Sequence, residues 1–90
     1  MSSRAEAFAE LTRALESVLA ASAQGHAQAA VPLLETAIVI GRDNADPEII
    51  QLCLAAQMAA DALTHNRVGP ARRFAGAALR DVRARHSARP

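Results

Sequence analysis

Three short breaker stretches cut this chain into four apolar-periodic segments. They lie at Gly25, at Gly41-Arg42-Asp43-Asn44-Ala45 and at Asn66-Arg67-Val68-Gly69. In the first segment Ala7, Phe8, Leu11, Ala14, Leu15, Val18 and Leu19 recur at helical spacing, with Glu6, Glu10, Arg13 and Ser17 opposite. Ser3 followed by Glu6 makes a capping box, and Gly25 suits the left-handed position that stops a helix. A helix is predicted over residues 4–23. The spacing of the breakers predicts an all-α fold of four helices, built as two antiparallel helical hairpins or a small four-helix bundle.

The other three segments follow the same logic. A second helix ends near Ile40, starting either at Ala29 or at His26 with a bend at Pro32, since proline fits a first turn and not a helix interior. Asp46-Pro47-Glu48 supplies a capping carboxylate, a first-turn proline and an acid at the positive dipole end, so a third helix runs from there to about His65. Its main face carries Ile49, Leu52, Cys53, Ala56, Ala59, Ala60 and Leu63; Ile50, Leu54, Met58 and Ala62 lie on the other side. A fourth helix is expected from about Pro70 to Arg85, with Phe74, Ala75, Ala78, Leu79 and Val82 inward. One helical domain over residues 1–86 and a disordered tail over 87–90 are the expected organisation.

Composition sharpens this. Twenty-three residues are alanine, and neither Trp nor Tyr occurs. Alanine favours helix but buries little area, so its core is weak unless helices approach closely or a second subunit adds burial. The lone Cys53 excludes an intrachain disulfide, and no stretch resembles a signal peptide or the ~20 apolar residues of a membrane span. A cytoplasmic location is expected. The net charge of +1 conceals segregation: residues 1–66 hold three arginines and eight acids, residues 67–90 seven arginines and one acid. The complete absence of lysine fits the codon habit of a GC-rich bacterial genome.

A shift of 41 residues pairs Leu11 with Leu52, Val18 with Ala59, Gly25 with Asn66, Ala30 with Ala71 and Ile38 with Leu79, as two copies of one hairpin would. Gly25, Ala30, Leu34 and Ala37, echoed by Asn66, Ala71, Ala75 and Ala78, resemble the second-helix pattern of the tetratricopeptide repeat. In that family small residues let paired helices close up and a concave face takes peptides or helices. The period is 41 here against ~34 there, and the large aromatic residues of that pattern are missing.

Two surfaces are candidates for function. Helices 2 and 3 are apolar nearly all round, which predicts an intermolecular face with Val39, Ile50, Leu54, Met58 and Ala62 as contacts. Arg72, Arg73, Arg80 and Arg83 fall within about 100° of one another on helix 4, a positive strip for an acidic partner or nucleic-acid phosphates. No aromatics interleave them, which argues against base stacking. Arg80 and His86 resemble the Arg-x5-His pair of the HEPN ribonucleases, where the histidine moves a proton and the arginine holds phosphate. His26 and His65 lack metal-ligand spacing, Cys53 reads as a small core hydrophobe, and Asp43, Asn44, Asp46 and Glu48 do not match an EF-hand loop.

The expectation is a non-enzymatic helical interaction module without a cofactor, metal or small-molecule substrate. It would be an adaptor, small chaperone or assembly subunit, pairing with itself as a homodimer or with a partner helix. A nucleic-acid-binding regulator is the alternative, and a small ribonuclease a remote one.

Overall fold

In the computed structural model, which describes residues 3–87, α1 spans Arg4–Ala23, a 3-10 turn spans Ala27–Ala30, α2 spans Val31–Gly41, α3 spans Pro47–Thr64 and α4 spans Val68–Ser87. Residues 88–90, most of the expected tail, lie outside the described residues. Each helix packs on its neighbour in sequence, and α1 also packs on α3 and α4, which closes the four into a small bundle.

The helix ends follow from named residues. Ser3 Oγ accepts from the Glu6 N–H at 3.1 Å, one half of the predicted box. Asp46 Oδ1 accepts from the N–H groups of Glu48 and Ile49 at 2.9 and 3.3 Å, with Pro47 opening α3. Both hairpin turns are the same device. At the end of α1, Gly25 sits at φ +78°, His26 N–H donates to Ala21 C=O and Gly25 N–H to Ser22 C=O. At the end of α3, Asn66 sits at φ +58°, Arg67 N–H donates to Ala62 C=O and Asn66 N–H to Leu63 C=O. These are two Schellman caps, 41 residues apart, with asparagine tolerating the left-handed position that glycine takes in the first. Gln28 Nε2 joins the two turns by donating to Leu63 C=O and to Asn66 Oδ1.

Two boundaries differ from the sequence expectation. α4 begins at Val68, not Pro70, because Pro70 is accommodated in the first turn, where no N–H has an intrahelical acceptor to lose. It also runs two residues past Arg85. α2 resolves the Pro32 ambiguity by a 3-10 turn leading into an α-helix in which the proline lies in the first turn.

Gly41 acts differently from a breaker. It is the last residue of α2 and is buried. A Cβ there would stand 2.7 Å from Cys53 Sγ and 2.9 Å from Leu11 Cδ1. The missing side chain lets the end of α2 close onto α1 and α3.

The core gathers Leu11, Leu15, Val18, Leu34, Ile49, Leu52 and Leu63, and half of its twenty buried hydrophobic residues are alanine. No charged or polar residue is buried among the described residues. The 41-residue pairs Leu11/Leu52, Val18/Ala59, Ala30/Ala71 and Ile38/Leu79 are all core residues, so the two hairpins contribute equivalent positions to one interior.

Candidate functional site

The outer face of α3 is built by its own periodicity. With Ile49, Leu52, Cys53, Ala56, Ala59 and Leu63 turned inward, residues 50, 54 and 58 must share the opposite face. Ile50, Leu54 and Met58 are 45–48% exposed, and Val39 on α2 is 59% exposed. These four predicted contacts are open to solvent. Ala62 is not: it is only 6% exposed, because it sits in the last turn of α3 beside Arg67, Pro70 and Phe74, where the start of α4 covers it. It belongs to the core and not to the outer face. Leu33, half exposed and outside the predicted contact set, lies on the other flank of α2, beside Glu10 and Arg13 of α1 and Thr36 of its own helix.

Beside the Leu54 and Met58 side chains runs a groove of about 430 Å³ between α3 and α4, walled by Ala55, Phe74, Ala78 and Val82. Glu48, Asp81 and Arg85 stand at one end. Apolar walls with a few charges at one end can hold an apolar side chain and fix its direction.

The arginine strip is present as expected on α4. Arg72, Arg73, Arg80 and Arg83 are all exposed, and none is ion-paired among the described residues. By contrast Arg4, Arg13 and Arg85 each hold a carboxylate.

A third constellation was not visible in the sequence. Glu48, half-buried with its side chain 12% exposed, stands at the junction of the α1 and α3 N-termini with the α4 C-terminus. Arg4 Nη2 reaches its Oε1 at 2.6 Å, His86 Nε2 its Oε2 at 3.2 Å, and Arg85 Nη1 lies 3.9 Å away. Arg4 Nε also pairs with Asp46 at 2.8 Å, and the His86 ring stacks on Phe8 at 5.5 Å. Helical periodicity reveals only neighbours three and four apart; the charged partners here are separated by 37 to 44 residues. Arg80 takes no part in this junction. Six residues along a helix rotate a side chain by about 120°, so Arg80 and His86 lie on different faces of α4.

The Arg4 guanidinium, and then the α3 N–H groups, hold the Asp46 carboxyl below its usual range against the opposing effect of its partial desolvation. The sign follows: Asp46 stabilises the fold above the ordinary carboxylate pKa, and this contribution is lost as pH falls through the lowered value. Asp46→Asn keeps a good N-cap and removes the charge. Its melting midpoint should lie below that of the wild type at pH 7, and the gap should close by about pH 2. A gap independent of pH would show that the pair contributes nothing.

Burial pushes the Cys53 thiol up, which leaves it a poor nucleophile. No group of three or more His, Cys, Asp or Glu residues is placed to hold a metal among the described residues. No helix among them is long and apolar enough to cross a membrane. Compared with known proteins, the chain matches no family model, no curated protein and no solved structure.

Proposed function

We propose that this chain is a non-enzymatic helical interaction module, an adaptor, small chaperone or assembly subunit of the cytoplasm, that works by burying the outer face of α3 against another protein. One observation supports it above the others: Ile50, Leu54 and Met58 form an exposed apolar stripe along one helix, continuous with the α3–α4 groove. Water-exposed apolar area of this kind releases about 25 cal/mol per Å² when covered, and a monomer gains nothing from displaying it. The likeness to tetratricopeptide hairpins belongs with this reading, since that family binds peptides and helices. A photo-crosslinking amino acid at residue 54, in cells, should give protein adducts that the same probe at exposed Glu16 on α1 does not. Adducts at both positions, or at neither, would sink the proposal.

A second reading has its own support in the unpaired arginine strip: a nucleic-acid-binding regulator contacting phosphates through α4. It expects affinity for generic duplex DNA or RNA to fall steeply with salt, and the double variant Arg72→Ala, Arg73→Ala to lower the salt slope by about two. Salt-independent binding, or none at low salt, removes it.

A further inference from the structure

The apolar stripe and the charges at its two ends point to one occupant. We infer that two copies of this chain pair through α3, antiparallel, about a two-fold axis at Leu54; this rests on the interaction reading above and names the partner.

Ile50, Leu54 and Met58 recur every fourth residue, so the stripe runs the length of the middle of α3. An identical stripe laid antiparallel upon it sets Leu54 against Leu54 and each Ile50 against the partner's Met58. The same patch serves both subunits, as an isologous contact requires.

The charges choose the direction. Arg42 lines the same surface depression as Ile50 and Leu54, at one end of the stripe. Asp61 borders the depression that contains Met58, at the other. Arg42 has no ion pair among the described residues, and the contact of Asp61 with His65, at 3.6 Å, is highly exposed. Antiparallel pairing carries each Arg42 to the end where the partner presents Asp61. Parallel pairing would put both Arg42 side chains at one end and both Asp61 at the other, like beside like. Charges at such a rim contribute little affinity and set orientation.

Sedimentation velocity of the purified full chain over a concentration series tests this. The wild type should dimerise. Leu54→Glu should weaken dimerisation by at least about 30-fold, the loss expected of a central apolar contact, with the far-ultraviolet circular dichroism unchanged. Arg42→Glu and Asp61→Arg should each weaken it about three- to ten-fold, since symmetry breaks two pairs at once, and the two together should restore it. Leu54→Cys in a Cys53→Ala background should oxidise to a disulfide-linked dimer, as only a residue near the axis can. A dimer that survives Leu54→Glu, or a charge swap that fails to restore pairing, overturns the arrangement. A wild type monomeric throughout overturns self-pairing; if residue 54 then still crosslinks to another protein in cells, the broader interaction reading stands, and if it does not, both fall.

Discussion

Replacing Leu15 with alanine lowers the unfolding free energy by about 3 kcal/mol and the melting midpoint by about 15 °C. The size of the loss comes from the composition of the core. Half of the buried hydrophobic residues are alanine, so the apolar area removed from water is concentrated in a few large side chains, of which Leu15 is fully enclosed. A large-to-small change there loses the transfer free energy of the removed carbons and leaves a cavity beside alanines that have no rotamers with which to fill it. A domain of this size has about 5–13 kcal/mol of stability in all, so one methyl-branched side chain carries a substantial share. Leu54→Ala is the control: at 47% exposure it lies outside the core and should cost well under ~1 kcal/mol in the isolated chain. Chemical denaturation of the two variants, at a concentration where neither associates, checks the contrast. Equal losses would mean that the interior does not rest on its leucines.

Gly41→Val is expected to cost about as much, roughly 3 kcal/mol, by the opposite mechanism of overpacking. A Cβ on residue 41 meets Cys53 Sγ at 2.7 Å and Leu11 Cδ1 at 2.9 Å, and both neighbours are buried, so neither can swing into solvent. Valine then adds two methyl groups to a space already closed. The diagnostic comparison is with Gly76 in α4, where a Cβ would meet only the Arg80 guanidinium, at 3.6 Å. Gly76→Ala should therefore stabilise the helix by about 0.5–1 kcal/mol. The two glycines predict substitutions of opposite sign. Gly41→Ala combined with Cys53→Ala should lose less than the sum of the single changes, because the second removes the sulfur that the first strikes. Strict additivity would move the cause elsewhere.

Most helix ends were legible in the sequence because their causes are local. Ser3 with Glu6, Asp46 with Pro47, and the turn residues Gly25 and Asn66 each act over four or five positions, which a linear reading captures. The exposed stripe was legible too, since inward residues at helical spacing leave 50, 54 and 58 outward. The misses have tertiary causes. Helical phase alone puts Ala62 outward; the crossing of α4 over the end of α3 covers it, and phase carries no information on where another helix crosses. Gly41 carried the sequence signal of a breaker, while its physical task, a close approach between helix ends, depends on Leu11 and Cys53 from two other helices. Glu48 looked like an ordinary acid in a first turn, and only folding brings Arg4, Arg85 and His86 around it.

That junction bears on how the molecule opens. A helix C-terminus ordinarily frays, its last amides exchanging with solvent almost freely. Here the last turn of α4 is tied by His86 and Arg85 to a carboxylate on α3 that is also held by the first turn of α1. Three helix ends therefore share one latch. Amide protons at the end of α4 and the start of α1 would exchange as a single unit, and added salt would weaken their protection together while that of Leu52 and Leu63 persists. The start of α1 and the end of α4, far apart in sequence, would behave in exchange as neighbours.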